Sequence, residues 1–142
     1  MKFILIILPV VTAIFCTPDD FRFIEISSQR VIPGIRGAGI IHNYFIKYIP
    51  GRSKNGPELI YLWAEGKRLA IKNKKTTGDT LQSVASFRMP GEREPGYENP
   101  VFDTTPPPVF FNGVALIHYR IKEKNRYYAV NAIKKLPVIP LP

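Results

Sequence analysis

The sequence predicts a small, mainly β protein, an antiparallel OB-like barrel or a β-sandwich, behind a cleaved signal peptide. Three observations carry that expectation. Leu59–Lys74 and Ile117–Ile133 each alternate apolar and polar residues with a period of two on either side of a short turn sequence. Ile40–Ile49 (IIHNYFIKYI) is β-branched and aromatic on both faces, which suits a central strand. Segments rich in Pro and Gly separate these runs.

The chain opens with Met1-Lys2 and then Phe3–Cys16 (FILIILPVVTAIFC), which carries no charge. Fourteen residues fall short of the roughly 20 that a membrane-spanning helix needs. With one cation before and a polar exit at Thr17–Asp20, the stretch reads as a secretory leader over residues 1–16. Cleavage after Cys16 removes the one cysteine of the chain, and cleavage after Ala13 leaves a lone terminal thiol. Neither permits an internal disulfide. Ala13-Ile14-Phe15 also lacks the small residues of a lipobox. The expectation is one secreted, disulfide-free domain over 17–135, large enough to fold on its own core, with a Pro-rich tail at 136–142.

The elements follow in order. Phe21–Ser27 reads as a strand. Pro33–Gly39 reads as a turn using glycine for positive φ; its glycines lack the strand-to-helix setting of a phosphate loop. Pro50–Glu58 is a loop. Leu59–Glu65 and Arg68–Lys74 form a hairpin turning at Gly66-Lys67, with Glu65 opposite Arg68, and Ile40–Ile49 completes a three-strand meander. Residues 79–87 are either a short helix or a strand. Asp79 and Gln82 make a capping-box pattern above a Leu81, Val84, Ala85 stripe, yet the run after Thr76-Thr77-Gly78 also suits a strand. Met89–Pro108 is an extended Pro/Gly-rich acidic loop. Ile117–Lys122 and Arg126–Ile133 form a hairpin turning at Lys124-Asn125, in a register placing Ile121 opposite Tyr128 and Tyr119 opposite Val130. Leu136–Pro142 favours polyproline II.

Charge is distributed unevenly, and the whole chain carries +9. Residues 39–88 hold nine cations against three anions, and 109–142 hold six against one. Residues 89–108 reverse the sign, with Glu92, Glu94, Glu98 and Asp103 against Arg93. Such an excess bears on solubility and on attraction for anionic partners. Two histidines without HxH spacing, and no cysteine after cleavage, predict no metal site. No cofactor motif and no specific nucleic-acid motif is present.

The candidate ligand-binding residues are Arg68, Lys72 and Lys74, alternating along one strand, and His118, Arg120 and Lys122, alternating along another. Tyr61 and Tyr127 are their cross-strand neighbours. Cations interleaved with aromatic rings suit a sulfated glycan, an anionic lipid head group or single-stranded nucleic acid, and the partner expected is an extracellular anionic glycan, a lipid head group or a protein. The plainer reading is a solvated sheet face. His42 and His118 are the alternative catalytic pair, a general base and acid for metal-free ribonuclease-like chemistry. The plainer reading of His42 is an imidazole hydrogen-bonded near the core. Asn99–Phe102 resembles an endocytic ligand, and Lys134-x-x-Pro137-x-x-Pro140 an SH3 ligand; both need the cytoplasm. The sequence thus predicts a secreted, non-enzymatic binding protein without a transmembrane span. A ribonuclease-like enzyme and a structural or host-interacting protein with a protein partner are the alternatives. A further expectation is that the acidic loop 92–103 folds over the basic strands.

Overall fold

The computed structural model describes residues 21–51, 56–91 and 100–142. The expected leader with Cys16, the centre of the Pro50–Glu58 loop, and Glu92, Glu94 and Glu98 lie outside the described residues. Ten strands and no helix form the described chain: β1 (Phe21–Ile32), β2 (Ile40–Pro50), β3 (Glu58–Ala64), β4 (Lys67–Ala70), β5 (Lys72–Thr77), β6 (Thr80–Met89), β7 (Ala115–Ile121), β8 (Lys124–Val130), β9 (Lys134–Lys135) and β10 (Ile139–Pro140). Of residues 79–87, Asp79 sits in the turn and 80–87 belong to a strand, so the helical alternative falls. Gly78, at φ 60, supplies the reversal that pairs Thr77 with Thr80.

The strands make two sheets. A six-stranded sheet runs β10-β1-β2-β6-β5, with β9 also on β1, and a four-stranded sheet runs β4-β3-β7-β8. Neither closes into a barrel among the described residues. β2 is central, as its two apolar faces require: Tyr44, Ile46 and Tyr48 are buried inward, while Ile41, Phe45 and Ile49 are half-buried on the opposite face. Its neighbours are β1 and β6, so the expected meander of β2 with the β3–β4 hairpin does not form.

The two hairpins form with shifted registers. β3 and β4 turn at Glu65-Gly66 (φ 51 and 72), setting Ala64 opposite Lys67 and Trp63 opposite Arg68. β7 and β8 turn at Lys122-Glu123 (φ 49 and 64), setting Ile121 opposite Lys124 and Tyr119 opposite Arg126. Both loops place two consecutive residues at positive φ, the type I′ geometry that matches strand twist. Each slip is by an even number of residues, so the side chains that remain in these paired strands keep their expected faces. The run Arg68–Lys74 is broken at Ile71. There the chain leaves one sheet for the other, with Ile71 N–H donating to Ile60 O at 3.0 Å.

One hydrophobic cluster joins the sheets. Ile26, Tyr44, Ile46, Tyr48, Ala85 and Phe87 of the first meet Leu59, Leu62, Leu69, Ile117 and Val130 of the second. At one end Phe23 of β1 packs on Tyr128 of β8 at 4.4 Å, and Phe21 on Tyr119 at 5.3 Å. At the other end Phe87 meets Phe102 edge-on, and the Lys67 ammonium lies over both rings at 4.7 and 5.0 Å. The Pro-rich tail is drawn into the fold. β9 and β10 run parallel to β1, and Leu136 and Leu141 donate to Ser28 O and Ile32 O, both at 2.8 Å.

Candidate binding face

The core side of the four-stranded sheet takes Ala115, Ile117 and Val130, so the alternate residues of each strand face outward. Register then sets Tyr61 of β3 beside His118 of β7, and His118 beside Tyr127 of β8. The rings form a cross-strand stack. Tyr61 and His118 lie 6.2 Å apart at 22°, and His118 and Tyr127 lie 4.9 Å apart at 19°. The Arg68 guanidinium closes one end, 4.6 Å above Tyr61. Asn125 Oδ1 accepts from His118 Nε2 at 3.0 Å and fixes the imidazole plane. Arg120 extends the face and pairs with Glu58 at 3.6 Å.

A strap crosses this face. Phe102 turns inward onto Phe87, and Asp103 follows at the edge of β4. Arg68 N–H donates to Asp103 O at 2.7 Å, and Arg68 Nε to Asp103 Oδ2 at 2.8 Å. Asp103 Oδ1 accepts from Thr105 N–H at 3.0 Å, and Thr105 O accepts from Trp63 Nε1 at 2.9 Å. Trp63 faces outward yet is only 7% exposed. The hydrogen bonds from Thr105, and then from Arg68, lower the Asp103 carboxyl to about 2. At its described end the acidic loop thus lies on the basic face, with Asp103 against Arg68.

The sequence-nominated residues divide into two groups. Tyr61, Arg68, His118, Arg120 and Tyr127 share the outward face. Lys122 stands in the turn at the end of β7, exposed. Lys72 and Lys74 do not join them. They belong to β5 in the other sheet, where a bulge separates Lys72 opposite Val84 from Lys74 opposite Ser83. Their alternation with Arg68 was a property of a continuous strand, and the break at Ile71 removes it. Three contributors went unnominated: Trp63, Asn125 and Thr105. Trp63 alternates with Tyr61 and so was visible on the face; nothing local marks Thr105.

His42 and His118 are not brought to one site. His42 lies on the inward face of the six-stranded sheet, stacked on Phe87 at 4.7 Å, while His118 lies on the far side of the four-stranded sheet. Burial lowers the His42 pKa, a tendency that Glu65 opposes and Arg30 and Lys67 reinforce. Beside it the Tyr44 hydroxyl donates to Glu65 Oε1 at 2.7 Å; burial and then this bond raise its pKa. Burial likewise raises the Tyr48 phenol, whose oxygen has no hydrogen-bond partner among the described residues. The Ser83 hydroxyl offsets part of that rise without reaching hydrogen-bond geometry.

Among the described residues no three His, Cys, Asp or Glu side chains gather as metal ligands would. No described helix is long and apolar enough to cross a membrane. No family model, curated protein or solved structure matches the chain.

Proposed function

We propose that the chain is an exported, non-enzymatic β-sandwich protein that binds an anionic extracellular polymer, in the first instance a sulfated glycan. The outward face of the four-stranded sheet is its binding surface. One observation carries this reading: Arg68, Tyr61, His118 and Tyr127 form a single stacked row on one face, with Arg120 beside it. Rings stacked across strands stand on edge, so the Tyr hydroxyls point outward as hydrogen-bond donors and acceptors. Arg120 and Lys122 add charge at one end. Long-range attraction from the excess of cations left after loss of residues 1–16 would gather the polymer, screened beyond about 8–10 Å at physiological salt. The face would then hold it by short-range contacts. The leader reading supplies the compartment.

The test is elution from immobilised heparin by a salt gradient, using protein secreted from cultured cells under its own first sixteen residues. Arg120→Ala with Lys122→Ala should elute at clearly lower salt. Lys72→Ala with Lys74→Ala, which removes the same charge from the other sheet, should change elution far less. Equal shifts from both pairs would mean that net charge binds and the face does not. Retention of the chain inside the cells would remove the export half of the proposal.

A further inference from the structure

The two sheets have four lateral edges, and three are blunted. β9 and β10 lie along β1, and β4 donates its Arg68 N–H to the Asp103 carbonyl. β5 presents Lys72, Lys74 and Lys75 and is broken by a bulge. β8 differs. It pairs with β7 in unbroken register from Ala115–Val130 to Ile121–Lys124, and among the described residues nothing pairs with its other edge.

The turn decides which β8 amides are free. In a two-residue hairpin the pair flanking the loop exchanges both backbone hydrogen bonds, and such pairs recur at every second residue. The groups of Lys124, Arg126, Tyr128 and Val130 therefore face β7. The Val130 carbonyl agrees, accepting from Val114 N–H at 2.8 Å. Asn125, Tyr127 and Ala129 point their N–H and C=O groups outward. Tyr127 is also the end of the stacked row: His118 covers one side of its ring, and no described ring covers the other. The charge around this edge is mostly positive. Lys124 and Arg126 are exposed on β8, with Lys122 in the turn, against the single acid Glu123.

We propose that β8 accepts an extended acidic peptide segment of a partner protein as a fifth strand of this sheet. Its backbone would bond to Asn125, Tyr127 and Ala129. Its Asp and Glu side chains would face Lys124 and Arg126, and a planar side chain at the alternate position would continue the row beyond Tyr127. A segment alternating acidic with apolar or aromatic residues meets all three demands. A second copy of this chain meets them poorly, because two β8 strands would bring Lys124 and Arg126 of both into one ladder. The edge borders the glycan-binding face at Tyr127, but the backbone groups it offers, those of Asn125, Tyr127 and Ala129, belong to the edge and not to that face.

The probe is the seven-residue peptide Glu-Val-Glu-Tyr-Glu-Val-Glu, blocked at both ends, titrated into the full chain at about 150 mM salt, near physiological ionic strength. Its partner is the same peptide N-methylated at alternate residues, which keeps the charge and side chains but loses the donors of one edge. Saturable binding should slow hydrogen exchange at Asn125, Tyr127 and Ala129, and leave the amides facing β7 as they were. The N-methylated peptide should bind at least about tenfold more weakly, the loss expected from two or more hydrogen bonds. Ala129→Pro, which deletes an amide that β7 does not use, should lower affinity about fivefold with the melting curve checked alongside. Equal binding of the two peptides would overturn the proposal in favour of charge alone. Absence of binding at millimolar peptide would overturn it outright. Dimerisation of the free chain that protects the same three amides would assign the edge to a second copy.

Discussion

The turn at Lys122-Glu123 offers a test in which the sign of the result separates two registers. Both residues stand at positive φ, 49 and 64, without being glycine. A side chain held in the left-handed region costs roughly 1–2 kcal/mol against an ordinary conformation. Replacing the pair by Asn-Gly should recover most of that strain, since Asn tolerates this region and Gly is indifferent to it. Glycine also adds freedom to the unfolded chain, at about 0.5–1 kcal/mol. Both side chains are exposed, so the lost charges matter little. The net expectation is stabilisation by about 1 kcal/mol, or about 4 °C in Tm for a domain of this size. In the register with the turn at Lys124-Asn125, residues 122 and 123 lie within a strand opposite Tyr127 and Arg126. Asn-Gly would there cost about 1 kcal/mol. Urea unfolding followed by far-ultraviolet dichroism decides between them. A midpoint that falls at constant slope would refute the observed register.

Three other outcomes are expected. Tyr44→Phe removes a 2.7 Å bond to the Glu65 carboxylate and should cost about 1.5–3 kcal/mol, while Tyr48→Phe removes an unpartnered buried hydroxyl and should be neutral or stabilising; urea midpoints of the two variants compare them. His42 has its pKa lowered from 6.5, so the unfolded chain binds its proton first; stability should be lost as pH falls below 6.5, and His42→Phe should flatten that slope between pH 7.5 and 5. Asp103, at about 2 against 3.8, holds its clasp above pH 4 and loses it as pH falls toward 2. Asp103→Asn at neutral pH should weaken the same clasp. Trp63, the only tryptophan, lies under the strap and should report both by a red-shifted emission.

Much of this was legible because alternation in a strand is a strong local signal. Leu62, Ala64, Leu69, Ile117 and Val130 went to the core, and Tyr61, Arg68, His118 and Tyr127 to the opposite face, as parity required. Parity does not fix register, however. Moving the turn by two positions shifts the pairing by an even number of residues and leaves every side chain on its own face, so the apolar pattern could not separate Lys122-Glu123 from Lys124-Asn125. The preference of Asn for positive φ favoured the wrong pair. Sheet membership was less legible still. Alternation continues through Ile71, and only the long-range pairing of β5 with β6 shows that the strand has ended. The strap was half visible: the acidity of Asp103 was plain, but a carbonyl such as that of Thr105 carries no mark in a sequence. The tail read as polyproline II because Pro137 and Pro140 lack amides, yet Leu136 and Leu141 still donate to β1.

Arg68 ties these observations together, because one residue serves three structures. Its amide closes the β4 edge, its Nε holds the Asp103 carboxylate, and its guanidinium plane covers Tyr61. For the proposed anionic polymer this sets the terms of binding. A sulfate approaching Arg68 displaces a fixed carboxylate already 2.8 Å from Nε, whereas one approaching Arg120 displaces a looser, more exposed Glu58 at 3.6 Å. The Arg120 end of the row should therefore bind first, and the Arg68 end only when the strap yields. Asp103→Asn should then raise heparin affinity and steepen its salt dependence by about one released counterion, while leaving the contribution of Arg120 unchanged. Unaltered salt dependence with a red-shifted Trp63 would show that the strap had loosened and that Arg68 was never part of the binding surface.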